Sequence, residues 1–376
     1  MRIFLFCILL LSCFAGQAQT AAAPAIVMRV EHAPAPGIIN GKHTLFYEIF
    51  LTNFSALPLQ LMQLEILTAE DTVSINFISG DEIARRLYMP GTKPGAVGNP
   101  VLPPGRVAVL YIEATISGNK MPGGIIHRLM FKDANDSTSP ECRVYGAATR
   151  LENKPVLVLG APLVGGPWTA IYDPSWERGH RRMIFTREGV ARIPGRYAID
   201  FVKLDNHANF TAGNPDPVKN WFGYGADVLA VADGVISSVN NSFPESAMVS
   251  GLPAYAAEQA TGNYISLKIS ADAYVFYEHL QPGSISVKPG QRVKKGDVIG
   301  RLGFTGQSTG PHLHLHVANA NAPLRAEGLP FVFEKFKVSG AYPNLENFGK
   351  ESWQPLDGGE KEVRKEHPAS NSVIVF

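Results

Sequence analysis

The sequence predicts an all-β protein, and three observations carry that prediction. Stretches such as Thr44–Thr52 and Arg106–Ile116 are rich in alternating aromatic and aliphatic residues, the pattern of half-buried strands. Turn-forming clusters separate such stretches, at Pro34–Gly37, Pro90-Gly91 and Pro103–Gly105. No segment carries a long helical period, and no repeat of solenoid length recurs.

Residues 1–18 read as an export leader: Arg2 precedes an apolar run from Ile3 to Leu11, and small residues at Gly16 and Ala18 suit cleavage before Gln19. Leu10-Leu11-Ser12-Cys13 offers lipid anchoring through Cys13 as a less favoured alternative. No later apolar run reaches the ~18 residues of a membrane-spanning helix. Charged residues make up 18% of the chain and the net charge is +1, so no basic excess attracts nucleic acid or an anionic membrane. Cys7 and Cys13 fall in the leader. Cys142 is then alone, without an intramolecular disulfide partner, and is expected as a small buried hydrophobe.

From 25 to 150 the strands and turns suggest an immunoglobulin-like antiparallel sandwich. His32, His43 and His127 lie there far apart, without carboxylates at ligand spacing, and are expected as ordinary core or surface residues. The Gly- and Pro-rich stretch Asn153–Trp168 marks a linker, with the boundary near 152. A second β-rich domain is expected over 153–335. It holds a hairpin signal at Asp233-Gly234, strands at Asn263–Ile269 and Tyr274–Leu280, and tight turns through Lys288–Gly303. Residues 336–376 read as a flexible tail because of the polar run Gly358–His367, with Val373–Phe376 able to add a strand.

The densest chemistry sits in Gly310-Pro311-His312-Leu313-His314-Leu315-His316-Val317. In a strand the three imidazoles share one face while Leu313, Leu315 and Val317 share the other. Imidazole is the commonest ligand for Zn²⁺ and the commonest general base near neutral pH.

Four motifs in this order, Tyr224–Ile236, Tyr277-Glu278-His279-Leu280, Lys288–Gly300 and Ser308–His314, resemble the LytM/lysostaphin-type metallopeptidases of family M23. The resemblance covers the second domain only. It implies a zinc endopeptidase cutting peptide cross-bridges in bacterial peptidoglycan. It also implies metal ligands from a His-x-x-x-Asp strand and from the second histidine of His-x-His. Carried over, Asp200 and His314 are ligands, and His279 and His312 flank the attacking water as general base and oxyanion stabiliser.

One position departs from the pattern: Arg196 stands four residues before Asp200, where a ligand histidine is expected. A guanidinium has no lone pair for a metal. Two arrangements remain open. In one, His180 replaces the missing ligand, which a chain reversal near Gly189 would bring across from Asp200 and a reversal at Pro194-Gly195 would carry away; in the other, Arg196, sharing a strand face with Asp200, forms an ion pair with it and the metal is lost. His316 and Tyr277 are candidates for the outer shell or the substrate rim, Tyr277 and Tyr224 with packing as the bland reading. His207 is expected in a solvated loop. The function expected is an exported zinc endopeptidase acting on wall peptides. The alternative is a degenerate LytM-like module that binds peptidoglycan or activates another wall hydrolase.

Overall fold

A computed structural model describes residues 26–92, 99–116, 121–173, 176 and 179–376. The leader expected at 1–18, with Cys7 and Cys13, lies outside them.

The fold is nearly all β, as its sequence pattern indicates. In the first half, Ile26–Arg29, Lys42–Asn53, Val107–Thr115 and Leu87–Tyr88 pair side by side, with Pro36–Ile39 beside Lys42–Asn53. Cys142–Arg150, Gly124–Asp133, Leu59–Thr68 and Ser74–Ser79 form a second antiparallel sheet, with Val101–Leu102 on its edge. Leu45, Ile49 and Leu51 from one sheet pack with Leu61, Leu64 and Ile66 from the other in a single apolar core. Cys142, expected to be buried, is half-buried at the margin of this core.

Lys42–Asn53 is buried on both faces. Its Leu45, Tyr47, Ile49 and Leu51 point into the sandwich, whereas Phe46 joins the core of the second half together with Tyr172 and Tyr197. A strand covered on both sides reads as a nearly continuous apolar run, which is what Leu45–Leu51 is. The one charge within that run is Glu48, 4% exposed.

A twelve-stranded sheet dominates the second half. In its middle lie, in spatial order, Trp168–Ile171, Ile199–Lys203, Leu313–Ala318, Ala273–Glu278, Tyr264–Ser270 and Gly234–Asn240. Leu313, Leu315 and Val317 are fully buried in its core. Each such side chain contributes about 1.5–3 kcal/mol through apolar burial, so the register of the histidine strand is strongly specified.

Two expectations fail. The hairpin at Asp233-Gly234 does not form: Asp227–Leu229 pairs with Val298–Arg301, while Gly234–Asn240 pairs with Tyr264–Ser270. Gly234 serves a close approach rather than a turn, since a Cβ there would meet the Lys268 carbonyl oxygen at 2.5 Å. Residues 336–376 are not a flexible tail either. Phe331–Ala341 pairs with Lys361–Glu366 and with Ser372–Val375, which also pairs with Trp168–Ile171. Val373 and Ile374 are fully buried. The polar run misled because Lys361–Glu366 is a strand that exposes almost every charge it carries and buries only Val363.

Candidate metal centre

The strand pairing brings two of the expected residues, Asp200 and His314, into one row with Glu278. Asp200 lies directly opposite His314, and His314 lies directly opposite Glu278 on its other side. Directly paired residues point to the same face, so Asp200, His314 and Glu278 converge with His312 and His316 above a sheet whose reverse face is packed. His279 follows Glu278 and would by strict alternation face the other way. Its backbone is left-handed (φ 64°), and both consecutive side chains line the cleft. That conformation is costly for a residue with a Cβ and is typical of functional positions.

His180 arrives by a route that strand pairing does not supply. The chain does reverse at Glu188-Gly189, between Phe185–Arg187 and Val190–Arg192, but that hairpin pairs with itself. His180 opens a 3-10 turn over His180–Arg182 that rests on a second such turn, Pro194–Tyr197. The contact needs Gly195, where a Cβ would lie 2.5 Å from the His180 Cβ. The result puts His180 Nε2 2.7 Å from Asp200 Oδ2, and His314 Nδ1 3.0 Å from Asp200 Oδ1. The His180 and His314 rings meet edge to face at 4.3 Å.

His180, Asp200 and His314 thus present one ligand atom each within 4.8 Å of one another, and Glu278, His279 and His314 form a second such group. Two imidazoles and a carboxylate suit Zn²⁺. The His314 Nε2 lies 3.0 Å from His316 Nδ1, so the nitrogen facing away from Asp200 is held in place, as expected of a metal-bound imidazole. His312 Nε2 is buried, has no hydrogen-bond partner among the described residues, and lies 3.4 Å from Asp200 Oδ1. The residues present therefore fit a zinc ion.

Electrostatics separate the imidazoles. Burial would raise the Asp200 carboxyl, but the neighbouring His180 and His312 hold it well below the usual carboxylate range. Burial, reinforced by His312 and His314, pushes His279 well below the ordinary imidazole value. Burial and the His180 charge push His314 down to about 4. His312 moves the other way: burial opposes the charged form, yet Asp200 raises it above the ordinary value. The His279 Nδ1 donates to the Thr305 carbonyl at 2.7 Å, and the His312 Nδ1 donates to the Gly310 carbonyl at 2.8 Å. A carbonyl only accepts, so in each ring Nδ1 carries a proton and Nε2 is left for other partners.

Other expected residues lie elsewhere. Arg196 does not pair with Asp200: it sits in the 3-10 turn rather than on the strand, so i/i+4 alternation does not apply. Its Nε donates to Glu48 Oε2 at 2.8 Å and its Nη1 to Glu327. Tyr277 is fully buried on the reverse face, where its hydroxyl accepts from the Val231 amide at 2.9 Å, so it belongs to the core and not to a substrate rim. His316 is not on the rim but inside, 2% exposed and stacked on Phe276 at 4.8 Å. His207 is exposed, with its amide donating to Asp205. Tyr224 donates to Glu245 at 2.6 Å. His127, buried, bonds the Tyr47 hydroxyl at 2.8 Å.

Sequence reasoning missed Glu278, Glu48, Glu327 and Arg181. Glu278 stands inside the Tyr277–Leu280 motif, and its place before His279 was a readable signal. Burial and the Asp200 charge push its carboxyl up to about 8. The other three are joined only by tertiary contacts.

Residues 221–326 match peptidase family M23. That stretch, less than a third of the chain, is similar to the M23 peptidases. An uncharacterized metalloprotease of Buchnera aphidicola is 39% identical over 148 residues, covering 36% of this chain and 35% of the relative. The peptidoglycan DD-endopeptidase ShyC of Vibrio cholerae is 50% identical over 56 residues, 15% of this chain and 12% of its own. The chain thus spans about a third or less of the length of these curated relatives. A zinc containing peptidase from Vibrio cholerae, a solved structure, aligns over 78% of this chain and 83% of its own, at 16% identity and a TM-score of 0.27. The M23 match includes His279, His312 and His314 and begins after His180, Arg196 and Asp200.

Proposed function

We propose that this chain is an exported zinc endopeptidase that hydrolyses peptide bonds of bacterial cell-wall peptidoglycan. The observation that carries the reading is the convergence of His180, Asp200 and His314 on one point beside His279 and His312. The M23 match and the similarity to peptidoglycan DD-endopeptidases support the substrate class.

His180, Asp200 and His314 would hold the ion. Zinc bound there supplies Lewis acidity, polarising a peptide carbonyl and lowering the pKa of water toward ~7. The remaining work falls to the chain. His279, kept neutral and anchored at Nδ1 by the Thr305 carbonyl, offers its Nε2 lone pair to the proton of the attacking water. His312, whose protonated form the Asp200 charge favours against burial and whose Nδ1 is anchored by Gly310, in that form offers an Nε2 proton to the scissile carbonyl oxygen as charge develops on it. The cleft lined by His180, His279 and His314, about 180 Å³, is bounded by Met183, Phe185 and Leu324, apolar walls that strengthen such contacts by limiting water. The ion pair between Arg196 and Asp200 expected of a degenerate, metal-free module does not form, because Arg196 is engaged by Glu48 and Glu327 instead.

Metal content of the purified chain tests the reading. One equivalent of zinc is expected, lost by dialysis from a His180→Ala variant, together with cleavage of peptide-cross-linked peptidoglycan by the unmodified chain. A folded, metal-free and inactive protein overturns the enzyme reading, and full zinc retention in His180→Ala removes His180 from the donor set.

A further inference from the structure

His180 lies on a turn that the second half of the chain does not anchor by itself. The two residues after it reach into the sandwich. Arg181, 4% exposed, donates from Nη2 to the Tyr47 carbonyl at 3.2 Å, the Ile112 carbonyl at 2.9 Å and Glu48 Oε1 at 3.0 Å. Its guanidinium also stands 5.4 Å from the centre of the Phe46 ring. Arg182 donates to the Arg85 carbonyl at 2.7 Å and lies 4.4 Å from the Tyr111 ring centre. The turn beneath is tied to the same carboxylate, because Glu48 Oε2 takes the Arg196 Nε at 2.8 Å. One buried glutamate from the sandwich therefore holds both 3-10 turns, one carrying His180 and the other leading into Asp200.

We propose that Glu48 is a positioning residue for the candidate metal centre, so that the sandwich completes the site rather than merely standing beside it. The proposal rests on His180, Asp200 and His314 being the zinc donors. The chemistry favours it. Arg196 occupies the place of the ligand that the M23 resemblance leads one to expect, and the substitute, His180, lies on a turn rather than on a sheet strand. A strand is registered by its ladder; a three-residue 3-10 turn is not, and its side chain is only as fixed as its neighbours. Glu48 is well suited to fix it: burial would raise its carboxyl, but Arg196 and Arg181 hold it below the usual range, so the clamp stays charged at neutral pH. Losing the carboxylate that bridges two buried guanidiniums takes the ion pair from Arg181 and leaves Arg196 with Glu327 alone, so the link between the two turns is broken.

Zinc affinity of the full chain, measured by competition with a chelating dye, tests this beside the melting temperature of the metal-free protein. Glu48→Gln is expected to weaken zinc about 10–100-fold, the usual cost of removing an outer-shell partner, and Glu48→Asp to restore part of it. Glu65→Gln, which breaks the Glu65–Arg128 pair elsewhere in the sandwich, is expected to lower the melting temperature with zinc affinity unchanged. If Glu48→Gln does not fold, Arg181→Met gives the same reading, since it removes the guanidinium through which Glu48 holds the His180 turn and leaves Glu48 paired with Arg196. A folded Glu48→Gln that binds zinc within twofold of the unmodified chain overturns the positioning role alone. An unmodified chain that binds no zinc overturns the metal reading, and the positioning role with it.

Discussion

At the scale of single residues, the site is a set of imidazoles made unequal by their surroundings. His312 touches Asp200 and is anchored by Gly310, but it is not among the three donors that converge most closely. His312→Ala should therefore keep zinc and lose peptide cleavage by about 10²–10⁴-fold, the usual worth of a positioned acid or base. Parallel metal analysis and cleavage assays check this, and unchanged turnover would take His312 out of the mechanism. Arg196 teaches the complementary lesson. Its identity excluded it as a ligand from the sequence alone, because guanidinium chemistry does not depend on fold. Where it points did depend on fold, because a 3-10 turn replaced the strand that alternation assumed.

At the scale of elements, the histidine strand was legible because its reverse side had to be apolar, and Leu313, Leu315 and Val317 are indeed fully buried. The closing strand Ser372–Val375 was only half legible. Its apolar character suggested a strand, but its neighbours Phe331–Ala341 and Trp168–Ile171 are far off in sequence, and no local pattern names them. Inserted between them, Ile374 is fully buried. Ile374→Ala should cost about 2–5 kcal/mol of stability, as buried large-to-small changes do. Denaturant titration measures it; a loss below about 1 kcal/mol would mean that this strand contributes little to the sheet.

At the scale of the whole molecule, stability should fall in acid. His127, in the sandwich, and His367, against Tyr172 and Phe331 in the other half, are both pushed down to about 4 by burial. An unfolded histidine titrates near 6.5, so between about 6.5 and 4 the unfolded chain binds protons that the folded chain refuses. The stabilisation is complete above pH ~6.5 and is lost as pH falls toward ~4, at about 1.4 kcal/mol per pH unit for each residue. Unfolding free energies at pH 7.5 and 5.0 should differ accordingly, and the difference should shrink by about 2 kcal/mol in His127→Gln. An unaltered difference in that variant would show that His127 is not titrating in this window.

Sequence alone determined the all-β class, the strand carrying His312, His314 and His316, and the chemical types available for a metal site. Those follow from short-range rules: alternation, turn propensity, and the donor capacity of each side chain. Tertiary structure alone decided that His180 meets Asp200, that Glu278 joins the row, and that Glu48 reaches from one half of the chain to hold the other. Each of these is a contact across many residues of sequence, set by how packed surfaces meet rather than by any neighbouring residue. The same reason turned a polar C-terminal run into sheet: a strand gains its place from partners that lie elsewhere along the chain.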